Sequence, residues 1–343
     1  MEVTAPLSPG DLVPSVYTQE FETARTFIEN SRTRPGMHLA VIGDSDSGRE
    51  EFIRRIVQES GETVTPVSFS HPVDREHPFA GRIPETSILV ISNAHYLASR
   101  TIGGFSSLDE FISLIAGQEQ TVISSWNTHA WNYFAAAVQL DKTCNATIHL
   151  SPVPIKLLRD AILSHYRHSV TCINDATLRQ SVFGSSEPRT IRIPFTSKEV
   201  KIPWFTIDWN LIRSAFKRRE PEISPEDVVF SRLHKLSGGN PGVAITLWNK
   251  GFQYPEIRVS RIQELPVLPD LSFDERFILV NLLMMESLEA KEIVRVAGSP
   301  TAHQDIFRLM NEKILEDAGG KLRISSLRAK PIAEHLQGIR MVT

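Results

Sequence analysis

Short apolar runs alternate with amphipathic stretches between residues 37 and 150. Four runs have the length of a buried strand: residues 37–42, 87–92, 121–125 and 146–150. Two stretches between them carry apolar residues at helical spacing: 50–59 and 108–116. Buried strands that alternate with helices predict a parallel sheet with crossover helices, and therefore an α/β fold. One more helix is predicted ahead of this region, over residues 17–30.

The pattern changes after Pro152, where strand-like runs largely stop. Residues 155–169 and 226–236 have the spacing of amphipathic helices, and another helix is predicted from Pro241 onward because proline suits the first helical turn. Residues 171–219 lie between these helical parts and contain nine Lys and Arg against four acidic residues. We therefore expect a helical domain with a basic insertion.

The last segment follows a proline-bearing linker at residues 265–269. Three helices are predicted there, over residues 272–285, 288–297 and 301–311, and two short strands flank Gly319 and Gly320 as in a hairpin. This is the element order of a winged helix. The predicted organisation is an α/β core at 1–152, a helical domain at 153–264 with the insertion 171–219, and a winged helix at 270–343.

Composition places the chain among ordinary globular proteins. Of its 343 residues, 41% are hydrophobic and 22% are charged, and the formal net charge is -3. No apolar run approaches the roughly 20 residues that cross a bilayer, and no basic start precedes an apolar core, so we expect a cytoplasmic protein without a membrane partner. The two cysteines and 11 histidines show no metal-ligand spacing, and we predict no metal site.

A glycine-spaced loop follows the first apolar run. Its residues are Gly43, Asp44, Ser45, Asp46, Ser47, Gly48, Arg49 and Glu50. A phosphate-binding loop reads G-x-x-x-x-G-K-[ST]: backbone N–H groups close around the phosphates, the lysine reaches the outer phosphates, and the hydroxyl binds Mg²⁺. Here Arg49 replaces the lysine, and Glu50 places a carboxylate where the hydroxyl belongs. The turn keeps its glycines but becomes acidic.

A second motif lies about 45 residues downstream. P-loop ATPases have an apolar strand that ends in an Asp for Mg²⁺ and often a Glu for the attacking water. In the run ILVISNAHYL, Ser92 takes the Asp position and Asn93 takes the Glu position. Four parts of a hydrolytic apparatus are therefore altered together. Because catalysis of this kind depends on positioning and charge stabilisation, we predict that hydrolysis is absent or vestigial.

Two weaker motifs complete a resemblance. Asn127 follows the strand 121–125 as a sensor-1 residue does, and Asn240 and Pro241 resemble the turn before the sensor-2 helix, with Gly242 where many relatives carry an arginine. In their order and spacing, residues 15 to 340 resemble an AAA+ ATPase of the STAND or archaeal origin-recognition type. The resemblance implies a five-stranded P-loop core, a helical lid and a C-terminal winged helix.

The departures from this family fall on its catalytic positions. We therefore predict a pseudo-ATPase with no catalytic residues of its own, which binds no nucleotide or binds ATP or ADP weakly, without Mg²⁺. Its expected role is that of an assembly or regulatory subunit. The expected partner is another protein, either an active ATPase subunit or further copies of this chain.

Two alternatives remain open. In the first, the protein is a DNA-binding initiator or regulator whose basic residues contact nucleic acid. The same residues could instead contact a protein partner. They are Arg213, Lys217, Arg218, Arg219, Lys321 and Arg323. Arg328 and Lys330 would belong to the same wing. In the second alternative the chain is an active ATPase, with Arg49 in the lysine's role and Asp109 or Glu110 supplying the metal ligand.

Overall fold

The computed structural model describes residues 6–73, 79, 87–166, 169–175, 183–185, 189–192, 199–202, 205–207, 224–262 and 267–342. These residues fall into two compact units, which are described separately. The larger unit comprises residues 1–167, 233–249 and 264–343, and the smaller comprises residues 168–232 and 250–263. The three predicted domain ranges do not coincide with these units and stay predictions.

Five parallel strands form the centre of the larger unit: β1 (His38–Gly43), β2 (Val64–Ser68), β3 (Ile88–Ser92), β4 (Thr121–Asn127) and β5 (Ala146–Leu150). Their order in the sheet is β2-β3-β4-β1-β5. Neighbours that are not consecutive in sequence require crossover connections, and helices supply several of them. The predicted α/β fold class with a parallel sheet is confirmed.

Six helices belong to this core region: α1 (Pro9–Val16), α2 (Thr18–Ser31), α3 (Arg49–Ser60), α4 (Ser106–Gly117), α5 (Thr128–Val138) and α6 (Ile155–Ser164). Each lays an apolar stripe against a neighbour. On α3, for example, Phe52, Ile53 and Ile56 are buried. Phe111 of α4 lies with its ring centroid 5.7 Å from that of Trp126 in β4. One core cluster joins buried side chains of β1, β3, β4, α4 and α5 with those of the C-terminal part.

Three of these elements differ from the sequence expectation. Helix α1 was not predicted because Pro9 and Pro14 read as breakers, yet Pro9 occupies the first turn, where its missing N–H costs nothing. Helix α5 was also missed, although Asn127 caps it through bonds from the N–H groups of His129 and Ala130. Strand β2 is a partly exposed edge strand that contains Pro66, so it lacks the apolar run of a buried strand.

Two further helices flank the Gly-Asn-Pro turn: α7 (Pro225–Ser237) and α8 (Pro241–Gly251). The C-terminal part then runs α9 (Phe273–Met285), β13 (Ser287–Leu288), α10 (Ala290–Ala297), α11 (Ala302–Asn311), β14 (Leu315–Asp317), β15 (Leu322–Ile324) and α12 (Ser326–Gly338). Ser272 and Glu275 form a capping box at the start of α9. The three helices and the hairpin have the predicted order, with β13 as a third strand beside β15.

The smaller unit contains more strand than expected. Its short strands are β6 (Thr171–Ile173), β7 (Phe183–Ser185), β8 (Arg189–Arg192), β9 (Glu199–Ile202), β10 (Phe205–Ile207), β11 (Phe252–Gln253) and β12 (Glu256–Arg258). They pair as β11-β12-β6, β10-β7 and β8-β9. The expectation that strands largely stop after Pro152 was therefore wrong. Runs such as EVKI alternate polar and apolar residues with period two, which is a strand signal even in a basic segment.

No helix among the residues that the structure describes is long and apolar enough to span a membrane.

Replacing Phe111 with alanine tests the core. Phe111 is fully buried, so its truncation leaves a cavity, and we expect the free energy of unfolding to fall by about 3–5 kcal/mol. The matched control is Phe307→Ala, because Phe307 is 67% exposed and its loss should change stability by less than about 0.5 kcal/mol. Urea unfolding followed by circular dichroism measures both, and equal effects would contradict the packing.

Candidate functional site

The register of the sheet brings the predicted motifs to one edge. Gly43 at the end of β1 lies opposite Asn127 at the end of β4, and Ile91 of β3 lies opposite Ser124. Because these strands are parallel, their carboxyl ends meet at the same edge of the sheet. The glycine-spaced loop, the residues after β3 and the predicted sensor residue are therefore neighbours, although they are far apart in sequence.

The loop from Gly43 to Arg49 is a tight strand-to-helix turn. Asp46 and Gly48 adopt positive φ angles of 63° and 86°. At Gly48 a Cβ atom would lie 2.3 Å from Val13 Cγ2, so only glycine fits both the backbone angle and the close approach of α1. The glycine spacing that predicted a phosphate-binding loop thus also serves packing against the N-terminal helix.

Arg49 is buried beneath this loop, with 4% of its surface exposed. Its Nη1 donates to the carbonyl oxygens of Gly43 at 2.7 Å and Trp126 at 3.2 Å. Its Nη2 donates to Asn93 Oδ1 at 3.3 Å and to Glu286 Oε1 at 3.0 Å. The cation in the lysine position is therefore bound to the ends of β1 and β4 and to a carboxylate from the C-terminal part.

Glu286 is the residue that completes this cluster. Asn127 Nδ2 donates to the same Glu286 oxygen at 3.1 Å, so two donors meet on Oε1. Burial by itself raises the pKa of Glu286, but the Arg49 guanidinium and the Asn127 amide outweigh it and lower that pKa to about 2. Glu286 is ionised at neutral pH as a result. The adjacent His95 is fully buried, and burial lowers its pKa to about 4, so its imidazole is neutral.

Glu50 and Asn93 are engaged with the sheet. Ser125 Oγ donates to Glu50 Oε1 at 2.6 Å and accepts from the Asn93 N–H at 2.8 Å. Asn93 Nδ2 donates to the Phe69 carbonyl at 3.2 Å. Ser92 ends β3 beside this group. Ser125 Oγ therefore links the Glu50 carboxylate to the main chain of Asn93, and the Asn93 side chain is bound to Phe69 and Arg49.

The tip of the loop contacts the turn between α7 and α8. Asn240 Nδ2 donates to the Ser45 carbonyl at 2.7 Å, and its Oδ1 accepts from the N–H groups of Gly242 and Val243. The Gly242 N–H also donates to the Asp46 carbonyl at 3.1 Å. Asn240 therefore caps α8, whose first residue is Pro241, and holds the loop at the same time.

The space at position 242 shows why the turn carries glycine there, where many proteins of the resembled family carry an arginine. A Cβ atom at Gly242 would lie 2.3 Å from the Asp46 carbonyl oxygen, so no side chain fits there while the loop keeps this position. The third contact to the loop tip comes from α12, where Ser326 Oγ donates to Asp46 Oδ2 at 2.5 Å. The loop tip is thus held from two directions by protein groups.

A cavity of about 420 Å³ adjoins the loop. The loop residues 44–47, the turn 237–241 and α12 line it, together with Tyr17 and His129. Tyr17 Oη and Ser47 Oγ are buried and have no hydrogen-bond partner among the described residues. The cavity is therefore large enough for a small ligand, and two residues of its lining carry buried polar atoms without a partner.

The predicted contact residues for nucleic acid or a partner are largely occupied where they can be placed. Lys321 Nζ donates to the Ser70 carbonyl, and Arg323 forms an ion pair with Glu316 at 2.7 Å. Arg213, Lys217, Arg218 and Arg219 lie outside the described residues. Their role stays a prediction.

Two residues assigned to the wing belong elsewhere. Arg328 and Lys330 lie in α12, after the hairpin, because Ser326–Gly338 continues as a helix that the sequence interpretation missed. Arg328 is 5% exposed, and Lys330 donates to the Lys235 carbonyl at 3.1 Å. Among the described residues, no three His, Cys, Asp or Glu side chains cluster in a way that could hold a metal ion.

Sequence reasoning missed Glu286 and Ser326. Glu286 is 237 residues from Arg49 in sequence, and no motif surrounds it. The one available signal was Glu286 itself, an acidic residue directly after the apolar helix 272–285. Its partner could be known only from the tertiary structure.

The loop at the edge of the sheet thus contacts the Asn-Pro turn and the C-terminal part of the chain. The fold is α/β, with a five-stranded parallel sheet. No protein-family model matches the chain, and no curated protein sequence matches it either. Similarity is found among solved structures.

Three of these structures illustrate the similarity. The Aeropyrum pernix ORC1 protein in complex with DNA is 13% identical, with 97% of this chain and 98% of that chain covered and a TM-score of 0.44. The Aeropyrum pernix ORC2 protein in ADPNP-ADP complexes is 11% identical, with 95% of each chain covered and a TM-score of 0.38. The Thermotoga maritima RuvB Holliday junction branch migration motor is 12% identical, with 93% and 94% covered and a TM-score of 0.38. At these values the likeness carries no residue role or activity to this chain.

Replacing Gly242 with alanine tests the contact between the turn and the loop. The new methyl group would clash with the Asp46 carbonyl, and we expect the free energy of unfolding to fall by about 1–3 kcal/mol. Gly117→Ala is the matched control, because Gly117 ends α4 and a Cβ there meets no atom within 4 Å. The control should be neutral or slightly stabilising. Equal urea midpoints for the two variants would show that the turn does not rest on the loop.

Proposed function

We propose that this chain is a catalytically inactive AAA+-fold protein that acts as an assembly or regulatory subunit of a larger complex. The observation that carries the proposal is the position of Arg49. Its side chain is 5% exposed, and its guanidinium is bound to two main-chain carbonyls and to Glu286. A cation held in this way does not reach a phosphate in the loop without breaking these contacts.

The charge of the site supports the same proposal. Four carboxylates lie on or beside the loop, those of Asp44, Asp46, Glu50 and Glu286. The cations near them are Arg49, Arg323 and Lys330, and each is bound to a protein group: Glu286, Glu316 and the Lys235 carbonyl. Hydrolysis of a nucleoside triphosphate depends on positive charge and metal ions that offset the charge developing on the phosphates. An acidic loop opposes the binding of both ATP and its product. The proposal therefore includes no nucleotide, or weakly bound ATP or ADP without Mg²⁺.

The competing active-ATPase hypothesis lacks such support. It needs Arg49 on the outer phosphates and a metal ligand from Asp109 or Glu110. Both acids lie in α4, and Arg49 is bound elsewhere. Ser92 and Asn93 offer no carboxylate at the end of β3.

The surface of α11 favours a protein partner over DNA. Phe307 and Met310 are exposed on this helix, at 67% and 38%. Arg308, between them in sequence, pairs with the buried Glu275 at 3.1 Å and donates to the Asp270 carbonyl. A helix that reads DNA presents polar and basic side chains to base edges and phosphates, whereas exposed aromatic and Met side chains are typical of protein interfaces.

A turnover assay tests the absence of hydrolysis. The purified chain is incubated with ATP and Mg²⁺ at high protein concentration, alone and with candidate partners, and phosphate release is measured. We expect no release above that of Arg49→Ala, because a contaminating ATPase is insensitive to this substitution. Mg²⁺-dependent hydrolysis that Arg49→Ala abolishes would contradict the proposal.

A DNA titration tests the alternative function. Labelled duplex is titrated at about 50 and about 200 mM salt, and binding to a protein that neutralises several phosphates must weaken steeply between them. We expect weak binding without a steep salt dependence. The double variant Lys321→Ala and Arg323→Ala serves as the comparison, because its loss of a steep salt slope present in the unmodified chain would support DNA binding by the wing.

A further inference from the structure

Glu286 stands at an unusual place in the backbone. It directly follows α9 and precedes β13, and its φ of 60° and ψ of -48° lie in a region that residues with a side chain rarely adopt. Such a conformation is strained and persists where other contacts fix it. The contacts that fix it here are the hydrogen bonds from Arg49 and Asn127 to its carboxylate.

Arg49 and Asn127 both occupy motif positions whose side chains contact phosphate in ATPases of the resembled family. Arg49 holds the position of the lysine that reaches the outer phosphates, and Asn127 holds the sensor position. Both donate to one oxygen, Glu286 Oε1, at 3.0 and 3.1 Å. Hydrogen bonds from a guanidinium to a carboxylate or to a phosphate use the same geometry and similar distances. An internal carboxylate thus receives the donors that would otherwise meet a phosphate oxygen.

We propose that Glu286 is a built-in anion ligand of the degenerate loop, whose carboxylate occupies the place of the outer phosphate and competes with polyphosphates for Arg49 and Asn127. The proposal deepens the proposed function, on which it rests, by naming the residue that keeps the loop closed to nucleotide. An incoming oxyanion must displace the carboxylate to reach Arg49 and Asn127.

Displacement has a structural consequence in the C-terminal part. Glu286 joins α9 to β13, and β13 pairs with β15 of the hairpin. Loss of the Arg49 contact removes the interaction that fixes the positive φ angle at this junction. The loop would then be coupled to the hairpin through Glu286, so that binding of an anion at one loosens the backbone at the other.

Anion binding to variants of Glu286 tests the proposal directly. Titration calorimetry without Mg²⁺ measures the affinity of the full chain for inorganic tripolyphosphate, ATP and AMP. For Glu286→Ala we expect tripolyphosphate and ATP to bind at least about tenfold more tightly than to the unmodified chain, since an opposing charge is lost and two donors are released. AMP, which lacks the outer phosphates, should show no such gain.

Two further variants keep the result interpretable. Glu286→Gln preserves volume and removes only the charge, so it should fold and show a smaller gain in the same direction if the alanine variant does not fold. Glu312→Gln removes one exposed negative charge from the same C-terminal part and should leave the affinities unchanged. Affinities in a folded Glu286 variant that equal those of Glu312→Gln would overturn the proposal.

Hydrogen exchange supplies a second readout. In the unmodified chain, saturating tripolyphosphate should increase amide exchange at Ser287 and Leu288, and unchanged exchange at saturation would also count against the proposal. These measurements use no hydrolysis. Arg49-dependent ATP turnover could therefore refute the proposed function while the anion-ligand role of Glu286 is judged separately by binding.

Discussion

The buried guanidinium of Arg49 is the interaction on which the site depends. A buried charge is costly unless it is paired and hydrogen-bonded, and Arg49 obtains partners from the ends of β1 and β4, from Asn93 and from Glu286. These groups come from three strand ends and from the C-terminal part. Removing any one of them would leave charge or polar atoms unsatisfied, so the cluster fixes the strand ends, the loop and the end of α9 relative to one another.

Close backbone approach is the second constraint on the loop. Gly48 accepts the approach of Val13, and Gly242 accepts the approach of the Asp46 carbonyl. The hydrogen bonds from Asn240 and Ser326 then hold the loop tip from outside. A loop that must open for a phosphate would lose these bonds, whereas a loop that acts as a fixed docking platform keeps them. These contacts support the proposal that the loop stays closed.

The proposed inactivity and the proposed role of Glu286 as an anion ligand both rest on the positions of the charged side chains around the loop. The loop carries Arg49 and Glu50 in place of a lysine and a hydroxyl, β3 is followed by no carboxylate in the second motif, and the carboxylate of Glu286 pairs with Arg49. The adjoining cavity of about 420 Å³ stays lined by polar groups such as Tyr17 and Ser47. The surface of α11, which exposes Phe307 and Met310, is the one on which the proposal of a protein partner rests.

Local sequence determined much of the fold: apolar runs predicted four of the five core strands, the glycine spacing predicted the strand-to-helix turn, and the apolar stretch 272–285 predicted α9. Edge strand β2 and the proline-bearing α1 escaped because their stability comes from neighbours and not from their own pattern. The departures at Arg49 and Glu50 were visible in sequence. That Arg49 turns inward to a carboxylate 237 residues away was decided only by the tertiary structure, because pairing across such a distance is set by packing and not by spacing.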